Sequence, residues 1–169
     1  RAHFDRAIAI APDDLDIQGS LIFTNNYLGA ETQANIHARA LRYGEILSRG
    51  LVPHTTWPNQ PAPNRPLRIG FVSGDLRQHP VGFFFISVAE ALAPSPTLEL
   101  YAYPTTRASD PMTEAFRAAF HHWVPIPGLD DDEAAARILA DGIDILVDLS
   151  GHTGKHRLGL FARKPAPVQ

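Results

Sequence analysis

The sequence predicts an α/β fold, one doubly wound parallel sheet preceded by an α-helical segment, and three observations carry that prediction. Residues 67–92 read as strand, polar turn and helix in immediate succession. Apolar runs of strand length then alternate with helical patterns as far as residue 162, the signature of parallel strands joined by crossover helices. Residues 1–48 show only helical periodicity and are set apart by a proline-rich stretch over 49–66.

At the amino end, Phe4, Ala7 and Ile8 share one helical face and Pro12 stops the helix. This run is similar to the tail of a tetratricopeptide repeat, which cannot bury its face without neighbours. Asp13 or Asp14 caps a second helix over 15–28 with Ile17, Leu21, Ile22 and Leu28 inward. Thr32 caps a third, whose Ile36, Ala40, Tyr43 and Leu47 fall on one stripe. Pro53, Pro58, Pro61, Pro63 and Pro66 then hold the chain extended, and the domain boundary is placed in this 49–66 linker.

Leu67, Ile69, Phe71 and Val72 supply the first buried strand, which Gly74 ends. Pro80 suits the first position of a helix, with Val81, Phe84, Phe85, Val88 and Leu92 expected to form its buried face. A strand over 98–103 and a helix over 111–120 follow, then a short strand near 122–125. Asp130 and Glu133 make a capping-box start for a helix that Gly142 closes. Residues 143–149, IDILVDL, read as another buried parallel strand, 158–162 as a short helix, and the terminal PAPVQ points into one more strand. The α/β region, 67–169, is read as incomplete.

Two polar turns stand at carboxyl ends of strands, where α/β proteins gather ligand-contacting groups. The first holds Ser73, Asp75, Arg77, Gln78 and His79. The second is SGHTGKHR, in which Gly151 and Gly154 allow close backbone approach while His152, Thr153, Lys155 and His156 offer donors. Neither turn has the spacing of a Walker loop or of a dinucleotide fingerprint, so a nicotinamide enzyme is rejected. Read without context, Asp75 closes an Asx-turn or caps the helix, His79 is an exposed cap, and His152 and Thr153 line a polar loop.

Of the 169 residues, 44% are apolar, enough for one moderate core and an appendage. A net charge of −3 leaves no nucleic-acid footprint, and no segment is apolar for long enough to span a membrane, so the chain is read as soluble and cytoplasmic. With no cysteine there is neither a disulfide framework nor thiolate chemistry. No compact His/Asp/Glu pattern supports a metal site.

The run LRIGFVSGDLRQHPVGFF, followed some seventy residues later by DGIDILVDLSGHTGKHRLGLFARKPAPVQ, resembles the amino-terminal half of the catalytic region of O-linked N-acetylglucosamine transferases and their bacterial and SPINDLY-type plant relatives. The resemblance covers essentially the whole chain. It implies a Rossmann-like half of an inverting GT-B glycosyltransferase, with UDP-N-acetylglucosamine (UDP-GlcNAc) as donor and a protein serine or threonine hydroxyl as acceptor. No cofactor or metal is implied. Protein acceptors are expected to be recruited through the tetratricopeptide region, and a carboxyl-terminal Rossmann-like half to supply most uridine and diphosphate contacts. The fragment alone is then expected to be inactive.

The family's aspartate and histidine map onto Asp75 and His79, the catalytic candidates. Gln78 and Pro80 match motif positions near the donor, whereas Val81 stands where animal relatives have a threonine. Gly151, His152 and Thr153 of the second turn are further donor-site candidates. Animal relatives also use a histidine in the helices before the linker; this chain has none there, and Asn26 and Tyr27 are nominated as cleft residues instead. Two other readings are a non-catalytic tetratricopeptide scaffold with a degenerate transferase domain and a SPINDLY-type protein O-fucosyltransferase.

Overall fold

A computed structural model describes residues 2–29 and 31–169, apart from the side chains of Ala2 and Leu28. The expected inward placement of Leu28 therefore lies outside the described residues. The chain divides into two compact units, residues 1–52 and 53–169.

The first unit is three helices, α1 (Ala2–Ile10), α2 (Leu15–Leu28) and α3 (Gln33–Leu47), each packed on the next. Asp14 accepts the Ile17 amide at the start of α2, and Thr32 accepts that of Asn35 at the start of α3. Leu21, Ile22, Tyr43 and Ile46 are buried among these helices, and Phe4, Ala7 and Ile8 are half-buried.

The second unit is built on four parallel strands, β1 (Leu67–Ser73), β2 (Leu98–Pro104), β3 (His122–Trp123) and β4 (Ile145–Asp148), in the order β3-β2-β1-β4. Val168 bridges Ile145 in parallel on the open side of β4, where PAPVQ was expected to begin another strand. Helices α4 (Pro80–Leu92), α5 (Pro111–Ala119), α6 (Asp131–Ala140) and α7 (Leu158–Ala162) complete the unit. Two buried clusters form. Phe71, Leu100, Ala102 and Phe116 belong to one, with Ala89 of α4; Val72, Tyr103, Leu146 and Ile138 belong to the other, with Leu160 of α7. Consecutive residues of β1 thus go to different cores, as the period of two of a strand covered on both faces requires.

The inward face of α4 differs from the expected one. Gly82, Phe85, Ile86, Ala89 and Leu92 point to the core, while Phe83, Phe84 and Val88 are 59%, 82% and 46% exposed. The cause is Gly82: a Cβ there would overlap the Arg77 carbonyl oxygen, so the helix rests its one side-chain-free position on the preceding turn. That contact fixes the helix's rotation.

Residues 53–66 group with the α/β unit, and their hydrogen bonds show why. The His54 amide donates to the Arg163 carbonyl and Trp57 Nε1 to that of Lys164. Asn59 and Arg65 reach Asp144, which precedes β4 at the amino end of the sheet. The segment has no helix or strand, yet it is tied down along its length.

Candidate functional site

Chain direction defines the site. From β1 the chain steps to β2 and β3 on one side, then crosses to β4 on the other, so the strand order reverses between β1 and β4. In open α/β sheets the crevice outside the carboxyl ends of such strands is where ligands bind. The turn after β1 carries Asp75 to His79, and the turn after β4 carries Ser150 to His156, so both nominated turns flank this point.

The turns approach closely. A Cβ on Gly74 would lie 3.1 Å from the Lys155 Cβ and 3.0 Å from Thr105 Oγ1, so a side chain at 74 would crowd the second turn. The loop after β2 joins both: Thr105 Oγ1 donates to the Lys155 carbonyl (2.9 Å), and Asp110 accepts the Gln78 amide (2.7 Å) while capping α5.

Asp75 is 6% exposed, and its carboxylate receives a single hydrogen bond among the described residues, from Arg77 at 3.3 Å. His79 Nδ1 lies 3.6 Å from the other oxygen. The carboxylate neither caps α4 nor closes an Asx-turn; its backbone amide binds Ser73 Oγ instead. A buried carboxylate left with open acceptor sites is costly unless something else fills them.

The cap of α4 is His79. Its Nδ1 accepts the Val81 amide at 3.3 Å, with Pro80 in the first helical turn. An accepting Nδ1 carries no proton, so the neutral ring holds its proton on Nε2 and presents a donor there. The ring is therefore not oriented by Asp75 through an Nδ1–H, as a triad histidine would be.

The second turn is folded by Asp148, whose carboxylate accepts the Ser150 and Gly151 amides at 3.0 and 2.8 Å. Thr153 donates its hydroxyl to the Ser150 carbonyl (2.7 Å), spending its proton inside the turn. Gly151 has φ 55°, a left-handed conformation that suits glycine. Ser150 is buried, and its Oγ has no hydrogen-bond partner among the described residues. Burial pushes the His152 imidazole toward its neutral form, His156 adds to the effect, and Asp148 opposes it.

Asp75, Gln78, His79, Pro80, Gly151, His152 and Thr153 thus all lie on the two turns at the switch point. Asn26 and Tyr27 belong to the helical unit, where both are exposed and Tyr27 meets Phe23 edge-on; the buried amide there is Asn25, bonded to Glu31. Sequence reasoning assigned no site role to Asp148, Ser150, Asp110 or Gly82. Asp148 left a usable signal as an aspartate two residues before a Ser-Gly turn, and Asp110 as a cap-type residue directly before a helix-opening proline. A separate cavity of about 510 Å³ lies beside the β2–α5 loop, lined by Arg107, Ser109, Arg117 and Trp123 among others; none of the nominated residues lines it. Among the described residues no three His, Cys, Asp or Glu side chains gather at metal-binding distances, and no helix is long and apolar enough to cross a membrane.

An all-parallel sheet with two glycine-bearing polar turns at its switch point defines a Rossmann-like ligand-binding unit. The description Glycosyl transferase family 41 matches residues 32–169, and the chain belongs to that family. It is 30% identical over 166 residues to the probable UDP-N-acetylglucosamine–peptide N-acetylglucosaminyltransferase SPINDLY of Solanum lycopersicum, covering 96% of this chain and 18% of that protein. With the SPINDLY protein of Arabidopsis thaliana it shares 30% identity over 164 residues, 95% of this chain and 18% of the other. The solved structure of an O-GlcNAc transferase mutant from Thermobaculum terrenum superposes with a TM-score of 0.89 at 40% identity, covering 98% of this chain and 32% of that one. The expected fold, the Rossmann-like half of a GT-B glycosyltransferase, holds. The chain spans less than a fifth of these plant relatives' length and about a third of the solved one.

Proposed function

We propose that this chain is the amino-terminal catalytic half of an inverting transferase that moves N-acetylglucosamine from UDP-GlcNAc to serine or threonine hydroxyls of proteins. The observation that carries the reading is the Asp75 carboxylate, buried beside His79 at the switch point with most of its acceptor capacity unused, in a chain of family 41. The acceptor hydroxyl attacks the anomeric carbon, the bond from that carbon to the UDP oxygen breaks, and the hydroxyl proton passes to Asp75, directly or through one water. His79 donates from Nε2 to a sugar or acceptor oxygen, because its Nδ1 is engaged by the Val81 amide.

Gln78, Pro80, Gly151, His152 and Thr153 form this half's share of the donor site. A second Rossmann-like half supplies most diphosphate and uridine contacts, and no metal takes part. The helical unit is the end of a tetratricopeptide array that recruits acceptors in the cytoplasm. The scaffold reading would leave the unused acceptor sites of Asp75 without a purpose.

The test is transfer by the full-length protein from radiolabelled UDP-GlcNAc to a serine-rich acceptor, with donor binding followed separately and GDP-fucose run in parallel. The expected outcome is transfer by wild type and a loss of at least ~100-fold in turnover for His79→Ala with donor affinity kept. Binding without transfer would favour the scaffold, and transfer from GDP-fucose alone would change the donor.

A further inference from the structure

Among the described residues, Lys155 and Lys164 are the two non-glycine positions with left-handed backbone, at φ 66° and 52°. A lysine in this region carries a steric penalty that glycine escapes. For Lys164 the fold supplies a reason: its ammonium sits 5.2 Å from the Trp57 ring centre, and its carbonyl accepts the Trp57 indole N–H. Lys155 has no such reason on its charged end. Its carbonyl is held by Thr105 Oγ1 and its stem lies along Gly74, but its ammonium has no hydrogen bond or ion pair among the described residues.

The carboxylates on the neighbouring loops do not claim it. Asp148 is occupied by the Ser150 and Gly151 amides, Asp110 by the Gln78 and Thr113 amides, and Asp75 receives Arg77. His79, His152, His156, Arg77 and Arg157 are the remaining titratable or charged groups of the two turns, and none adds negative charge. Lys155 is exposed, so its backbone and stem are held at a conformational cost where the two turns meet while its ammonium is left open to a ligand at the switch point. Strained residues of this kind gather at functional sites, where the surrounding structure over-determines them.

We propose that the Lys155 ammonium binds an anionic group of the substrate in the crevice between the two turns, either a phosphate of the nucleotide sugar or an acidic side chain next to the acceptor hydroxyl. This rests on the function proposed above and adds a contact from a residue outside the nominated set. The contact is a point charge on a flexible stem, suited to a phosphate or carboxylate and indifferent to the sugar.

The test uses the full-length protein as wild type, Lys155→Gly, Lys155→Met and Lys155→Arg. Binding is measured for UDP, UDP-GlcNAc, inorganic pyrophosphate and two serine peptides that differ by Asp or Asn beside the serine. The glycine and methionine variants should lose about tenfold in affinity for one class of anion, one charge-assisted contact, while arginine stays within about threefold. The melting temperature of Lys155→Gly should equal or exceed that of wild type, since the backbone penalty is relieved, an outcome that a purely structural lysine would pair with unchanged binding. Loss on UDP, UDP-GlcNAc and pyrophosphate assigns the anion to the donor; loss on the Asp peptide alone assigns it to the acceptor. Affinities within about twofold of wild type for every ligand in both the glycine and methionine variants overturn the proposal, as does a wild type that binds none of these anions. If wild type fails to bind UDP-GlcNAc yet its pyrophosphate or Asp-peptide binding depends on Lys155, the donor assignment falls and this inference stands.

Discussion

The two ends of the sheet treat a buried carboxylate in opposite ways. At the amino end Asp144, 8% exposed, accepts from Asn59 and twice from Arg65 at 2.6 Å and from the Arg68 amide at 2.9 Å. At the carboxyl end Asp75 is buried to the same degree and accepts one bond at 3.3 Å. A saturated carboxylate is a fastener, whereas an under-satisfied one holds capacity in reserve for a ligand or a proton. Burial alone therefore does not tell a structural acid from a reactive one; the count and length of the bonds it accepts does.

The largest effect should separate the two ends by activity. Asp75→Asn, nearly isosteric, should lower the turnover proposed above by about 10²–10⁴-fold in the full-length protein while moving the melting temperature by only a few degrees. An Asp75→Asn variant that melts far lower, or transfers at the wild-type rate, would erase the contrast. Next, Arg65→Ala strands a buried carboxylate and should cost about 3 kcal/mol in urea unfolding, with the activity of the folded fraction unchanged. A cost below about 1 kcal/mol would make the amino-end network ornamental.

Acid titration sharpens the comparison with a smaller effect. Burial raises the Asp144 carboxyl, but the hydrogen bonds from Arg65, the Arg68 amide and Asn59 outweigh it and hold the group at about 2, below its usual 3.8. Because the folded value is the lower one, the stabilisation is complete above pH 3.8 and is lost as pH falls toward 2, about 2 kcal/mol in all. Stability followed over that range should flatten in Asp144→Asn. The smallest effect belongs to His152, whose folded value is also lowered, chiefly by burial. The unfolded chain takes up that proton first, so stability should decline gently as pH drops below 6.5, and His152→Asn should remove the slope.

Much of this architecture was legible from residue patterns. The strands, most helix caps and both turns follow from local apolar runs, Gly and Pro punctuation and the rule that ligands sit at carboxyl ends of parallel strands. The rotation of α4 was not legible, because apolar residues lie on nearly all its sides and Val81, Phe84 and Val88 make as good a stripe as Gly82, Phe85 and Ala89. A glycine contact decided between them, and periodicity carries no information about contacts. The site shows the same division. Asp75 and His79 could be nominated from position, but the engagement of His79 Nδ1 and the poverty of bonds to Asp75 are three-dimensional facts.

The tethered segment before β1 has a consequence for how such proteins can be cut and rejoined. Counted by secondary structure, the seam between modules falls at Pro66, where the first strand begins. Counted by bonds, it falls before His54, since His54, Trp57, Asn59 and Arg65 all fasten to the sheet unit. A recombinant fragment started at residue 67 would leave Asp144 without three of its four hydrogen bonds. In the vocabulary of gene assembly, this stretch of irregular, proline-spaced chain is inherited with the domain it follows into, and swapping the helical module of one relative for that of another should succeed only when the junction is drawn upstream of residue 53.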